Sequence, residues 1–229
     1  MDHIEQDALY DERANVSWAR PILQGDVFDG VVLPGFGEEP KRVQIVAHPC
    51  AMRRGADLVP RVTVAPVEPH GVVSGNGWDG NLRVMPLAGL VDDKHFATKF
   101  VDVTASPAEL LTRGRRIATL SHQGIYVLQQ RLIKHYTRVE MSLEVLRRES
   151  AAVLTEAELE WDWLEQVLFG AELNQADVIE AEARLFDRWL AEGTPSRRAR
   201  LSNEIQHTDV RREAQRAARE RAQGRAGAG

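Results

Sequence analysis

Short apolar runs broken by turn residues fill the first hundred positions, and apolar residues at helical spacing fill the rest. Between Gln24 and about Val103 the runs are VVL (31–33), RVQIVA (42–47), RVTVAPV (61–67), NLRVMPL (81–87) and KFVDVT (99–104). They are rich in β-branched residues and separated by Gly, Pro, Asn and Asp. Strands this short and this closely spaced predict a small barrel or sandwich rather than a parallel sheet with helical crossovers. The cluster SGNGWDGN, Ser74 to Asn81, supplies a hairpin end, because its Asn-Gly pair tolerates positive φ. Residues 1–23 read as a polar lead-in with a helical turn or two around Ile4, Ala8 and Leu9, and Trp18 as the first core residue.

The period then changes. Ser106, Pro107 and Glu109 fit the N-cap, first helical position and third residue of a capping box, opening a short helix that ends near Gly114. Arg115 to Leu120 reads as one more strand. Ser121 then caps a long helix with Ile125, Leu128, Leu132, Ile133 and Tyr136 on one face and Arg131, Lys134, His135 and Arg138 on the other. Thr155 and Glu158 predict a second capping box ahead of LEWDWLEQVLF, and Gly170 closes that helix. Asn174 caps another that runs to about Glu192, where Gly193 and Pro195 stop it. Leu159, Leu164, Val167 and Leu168, with Val178, Ile179, Phe186 and Leu190, predict the facing stripes of an antiparallel helix pair. Such a pair covers the barrel or makes a dimer. The last segment is helix-prone up to a Gly/Ala end that is expected to be disordered. The expected organisation is a lead-in (1–23), a barrel with its closing helix (24–138), a helical extension (139–194) and a basic tail (195–229). The fold class is α+β.

Composition narrows the context. A chain of 229 residues suits one core with an appendage, and 43% hydrophobic with 28% charged residues is ordinary for a soluble protein. No apolar run approaches the roughly 20 residues of a membrane span. Cys50 is the only cysteine, which excludes an internal disulfide and fits a reducing compartment. With an acidic start, MDHIEQDALYDER, the expected location is cytoplasmic.

Charge is unevenly placed. The net charge of -5 argues against nucleic-acid binding over the whole surface. From Pro195 onward, however, nine Arg stand against four acids, leaving +5 on the tail and -10 on the rest. A basic tail on an acidic body can touch RNA, DNA or an acidic protein, or it can fold back on its own body.

The segments GDVF (Gly25–Phe28), KRVQIVAHPC (Lys41–Cys50) and VTVAPVE (Val62–Glu68) lie in order ahead of FVDVTASPAELLTRGRRIATLSHQGIYVLQQRL. From Gln24 to about Tyr136 the chain resembles the PemK/MazF family of plasmid-maintenance toxins, whose SH3-like barrel has a GD(I/V) strand, an RPvlVi strand, a strand ending in Ap(l/i)T, then strand, short helix, strand and closing helix. The resemblance implies that barrel, homodimerisation and metal-independent endoribonuclease chemistry. It also implies an Arg opening the RP strand and a Thr or Ser after AP(l/i) that hold the attacked phosphate. Arg42 stands at the Arg position. Val43 replaces the Pro after it, and Glu68 stands where the Thr is expected, adding negative charge beside a phosphate. These departures favour a non-catalytic binding or scaffold protein that engages a protein or nucleic-acid partner, with the endoribonuclease as the alternative.

The remaining candidates are single clusters. His48 and Cys50 share a face of an extended strand and can supply two metal ligands, with His70 or His95 as a distant third, or a thiol with its base. They also fit a simple turn shaped by Pro49. Arg53 and Arg54 follow in the same loop. Arg131, Lys134 and Arg138 can track a phosphate backbone, or form a solvated helix face beside Glu140 and Glu144. GFGEEP lacks the Lys of a phosphate-binding loop. No cofactor or metal is expected.

Overall fold

The computed structural model describes residues 6–72 and 81–227. They form two compact units. The first takes in the described residues of 1–16, 22–53 and 58–149; the second takes in 17–21, 54–57 and the described residues of 150–229. The hairpin expected from Ser74 to Asn81 lies, all but its last residue, outside the described residues.

The first unit begins with α1 (Gln6–Leu9) and β1 (Tyr10–Arg13), followed by β2 (Val27–Val31), β3 (Lys41–Ile45) and the one-turn α2 (Pro49–Met52). Two short strands, β4 (Arg53–Arg54) and β5 (Asp57–Leu58), pair with each other where the chain enters and leaves the second unit. Then come β6 (Arg61–Pro69), β7 (Val84–Val91), β8 (Lys94–Lys99), β9 (Thr104–Pro107), α3 (Ala108–Arg113), β10 (Arg115–Leu120) and α4 (His122–Thr137). The strands are antiparallel in the order β1-β10-β2-β3-β6-β8-β7, a nearly closed barrel. β6 has nine residues and serves two partners: Arg61 to Val64 pair with β9, and Val67 to Pro69 with β8.

Alternation along the strands sorts the interior. Val43 and Ile45 join Phe28, Val31, Leu33, Met52, Val62, Val64 and Leu111 in one apolar cluster. Gln44, between them, points the other way and is fully buried. It donates to the Gly25 carbonyl at 3.0 Å and accepts from Thr98 Oγ1 at 2.6 Å. Gln24 donates to the Val46 carbonyl at 2.8 Å and accepts from Gln129 of α4 at 2.9 Å. Arg116 and Asp26 form an ion pair of 2.9 Å in which both side chains are almost wholly covered. α4 comes so close that a Cβ on Gly124 would lie 2.4 Å from the Leu9 carbonyl oxygen.

Several expectations are corrected. α4 is capped by Ser121 as its sequence predicts, but it is covered all round from Gly124 to Arg131, while Tyr136 is 61% exposed. The expected outward stripe therefore loses Arg131 to the interior. Ser106 and Pro107 end β9, and α3 starts at Ala108 without a side-chain cap. The β7–β8 hairpin turns at Asp92 and Asp93, both with positive φ (49° and 56°), a primed turn that Asp tolerates without glycine. The lead-in supplies an edge strand, β1.

The second unit is helical: α5 (Leu143–Val167, entering from the first unit), α6 (Ala176–Ala191), α7 (Arg197–Leu201) and α8 (Glu204–Ala226). Thr155 lies inside α5 rather than at its start, and the residue capping α6 is Gln175 rather than Asn174. Leu159, Trp163, Leu164, Val167, Leu168, Phe186 and Leu190 pack with Leu201 and with Val210, Ala214 and Ala218 of α8. The spacing of those last three puts one stripe of α8 into the core. The described part of the basic tail is therefore part of the second unit and helical to Ala226. Ala19 joins this core, whereas Trp18 is 53% exposed. Among the described residues no helix is long and apolar enough to cross a membrane.

The tail's positive charge is met within the same unit. Arg198 binds Glu156 through two nitrogens and Asp187 at 2.6 Å. Arg200 reaches Glu213 at 2.7 Å, Arg211 reaches Glu158 at 2.8 Å and Arg225 reaches Glu172 at 2.9 Å. Arg221 and the Trp163 indole N–H both donate to Glu182, which is 2% exposed. Folding back on its own body is thus the outcome for these arginines.

Candidate functional site

Arg42 lies on β3, opposite Val67 of β6. Its Nε sits 3.1 Å from Asp29 Oδ1, close enough for an ion pair but not aligned as a hydrogen bond. The guanidinium covers the Phe96 ring at 4.9 Å from its centroid. Asp29 is also 3.7 Å from Arg115, its cross-strand neighbour on β10. Carboxylate and ring thus occupy two sides of the group that a phosphate would need.

The second residue of the expected pair faces away. Because Arg42 is registered with Val67, Glu68 projects from the opposite face of the sheet. There Glu68 lies 3.8 Å from Lys99. Nearby, burial and then Lys99 lower the His70 pKa. Arg42 and Glu68 do not meet.

The His48–Cys50 pair is a cap. His48 is the N-cap of α2, and its Nδ1 accepts the Cys50 backbone N–H at 3.3 Å. That bond places the ring proton on Nε2, so the nitrogen nearest Cys50 is engaged with backbone and is not a base for the exposed thiol. Burial lowers the His48 pKa. Among the described residues no three His, Cys, Asp or Glu side chains are grouped to hold a metal ion.

The basic candidates are dispersed. Arg53 is partly buried in the first unit, and Arg54 is exposed in the second. Arg131 has no exposed surface and donates from Nε to the Val84 carbonyl at 2.9 Å and from a terminal nitrogen to the Asn81 carbonyl, which takes it out of any phosphate track. Lys134 pairs with Glu140 at 2.7 Å, and this ammonium holds the Glu140 carboxyl well below its usual range. Arg138 ends α4 in the left-handed region and is exposed.

β1 and β7 are the two ends of the strand order, and the barrel does not close between them by backbone pairing. Arg13 of β1 instead donates to the Gly89 carbonyl of β7 at 2.5 Å. A cleft of about 450 Å³ opens at this seam, lined by Arg13, Asn15, Leu90, Asp92, Asp93 and Ile117 among others. Gly89 has a φ of +60° within a register shift between Leu87 and Val91, which turns its carbonyl out of the β7–β8 ladder. No protein-family model and no curated protein matches this sequence.

Proposed function

We propose that this chain is a non-catalytic binding protein built on a barrel of PemK/MazF type. The observation that carries the reading is the placement of Arg42. Its guanidinium is paired with Asp29 and stacked on Phe96, and the carboxylate in place of the family's Thr projects from the other side of the sheet. A phosphate approaching Arg42 would have to displace Asp29, and the residue at the family's Thr position, Glu68, is a carboxylate that faces the other way. The resemblance itself is supported by the order β9, α3, β10, α4, which is the strand, short helix, strand and closing helix of that family. The partner is taken to be a protein, since most of the tail's arginines are already paired with carboxylates.

Incubating purified protein with RNA in the absence of added metal tests this directly. Intact RNA with both the folded wild type and Arg42→Ala is the expected result. Cleavage by the wild type that disappears in Arg42→Ala would overturn the reading and make the chain a ribonuclease.

A further inference from the structure

We infer that the bulge at Gly89 is a proton-operated catch, in which protonation of His95 frees the Gly89 N–H and loosens the seam between β1 and β7. The inference does not depend on what the barrel binds. Gly89 is buried and lies in the register shift between Leu87 and Val91. Its N–H donates to His95 Nδ1 at 3.3 Å, and its carbonyl accepts from Arg13 of β1. One residue is thus pinned between a ring on β8 and a guanidinium from the far end of the strand order. The ring bond requires a neutral imidazole with its proton on Nε2. A second proton goes to Nδ1, turns that nitrogen into a donor and leaves a buried N–H without its acceptor. With the N–H released, the bulge is no longer fixed where Arg13 reaches its carbonyl.

The groups around His95 add to the effect of the proton. Just past the end of β6, His70 continues the register that sets Pro69 opposite Phe96, and its N–H donates to the His95 carbonyl at 3.0 Å. Residues directly opposite share a face, so the two imidazoles are neighbours. By alternation Glu68 and Lys99 lie on that face too, 3.8 Å apart. Lys41 of β3 stands opposite Glu68 by the Arg42–Val67 register. β7 brings no titratable side chain; Asp92 and Asp93 follow it in the turn, and Lys94 opens β8. β1 brings Arg13, preceded by Asp11 and Glu12, which have partners of their own. Protons on the histidine pair therefore arrive beside Lys41 and Lys99, with Glu68 as the carboxylate of that face, and like charges directly opposite destabilise a sheet. Burial and then Lys99 lower the His70 pKa. Neutral His70 thus favours the folded chain above the ordinary histidine value near 6.5, and this contribution is lost as pH falls through the lower folded value. The working window is mild acid.

The test uses the full chain, labelled with 15N and titrated from about pH 8 to about pH 5. Long-range 1H–15N spectra read the His95 ring. They are expected to show a proton on Nε2 alone at the start of the titration and on both nitrogens at its end. Over the same range the Gly89 amide, corrected for the intrinsic pH dependence of exchange, is expected to exchange about tenfold faster or more. Amide shifts of 10–14 and 117–120 should move with the same midpoint. His95→Asn keeps an acceptor near the Nδ1 position but takes up no proton, so its Gly89 amide should stay protected throughout. His70→Asn removes one like charge and leaves the catch in place, so its transition should persist at higher pH. A proton on Nδ1 at the start, Gly89 protection unchanged to the end, or the same loss in His95→Asn would overturn the inference. So would seam amides that stay still while Gly89 is released. If His95→Asn does not fold, the wild-type titration decides alone, because ring and amide are read in one sample.

Discussion

In the first unit, buried side chains bond backbone carbonyls as well as one another; in the second, the arginines bond mainly carboxylate side chains. Gln24, Gln44, Arg131 and Arg13 give their hydrogen bonds to the carbonyls of Val46, Gly25, Val84 and Gly89, and Asp26 accepts from the Leu23 N–H. The helical unit instead joins Arg198 to Glu156 and Asp187, Arg211 to Glu158, Arg225 to Glu172 and Arg221 to Glu182. The cause is geometric. A small barrel with bulges and strand ends leaves carbonyls outside its ladders, and buried ones must find donors. A helix satisfies its own backbone except at its ends, so helix surfaces meet through side chains. At one such end Arg197 donates to the carbonyl of Trp189, in the last turn of α6.

The sharpest break of this comparison is Gln44→Leu. It keeps the volume and leaves the buried Gly25 carbonyl and Thr98 hydroxyl without these partners, at a cost of about 3 kcal/mol. Urea unfolding followed by amide exchange of β3 and β6 should show that loss equally in low and high salt.

Glu182→Ala is the matching change in the helical unit and should cost about 2 kcal/mol. It strips the Trp163 indole N–H of its acceptor, but Arg221 is 36% exposed and can turn to water. Fluorescence of Trp161, Trp163 and Trp189 should follow it, with a smaller penalty at high salt.

The smallest expected effect is on acid stability. Arg200 first, and Arg197, lower the Glu213 pKa in the folded chain. A folded-state pKa below the unfolded one stabilises above the ordinary Glu range near 4.3, and that contribution is lost as pH falls through the folded value. Asp162 works in the other direction, because burial raises its pKa. A modest loss in the tryptophan signal is therefore expected as pH falls below about 4.3, with a separate loss in the first unit where Lys134 holds the Glu140 carboxyl low. A tryptophan signal unchanged across that descent would contradict the expectation.

Much of the barrel was legible because its strands are written locally. Arg115 to Leu120 forms β10 as read, and RVTVAPV lies within β6. β1 was hidden because Tyr-Asp-Glu-Arg has no strand pattern of its own; β10 makes it one. The turn at Asp92 and Asp93 was hidden because Asp enters the positive-φ region far less readily than Gly, so an Asp pair is a weak turn signal. Thr155 and Glu158 imitate a helix start within a helix that begins at Leu143, where the spacing alone carries no boundary. Arg42 could be picked out by residue type, but Asp29 and Phe96, which decide what it can do, arrive from other strands. Arg131 failed most plainly, since periodicity assigns a face and cannot say that both faces are covered.

The second unit gathers residues from early and late in the chain, Ala19 packing in one core with Val210, Ala214 and Ala218. During synthesis, a ribosome releases Ala19 long before those partners exist. The barrel's strands can pair while the segments at 17–21 and 54–57 still wait for helices not yet made. No single cut yields two complete pieces: a chain stopped at Glu149 would carry two fragments of the other unit with no core to enter. The core that receives Ala19 thus stays incomplete until α8 has been made.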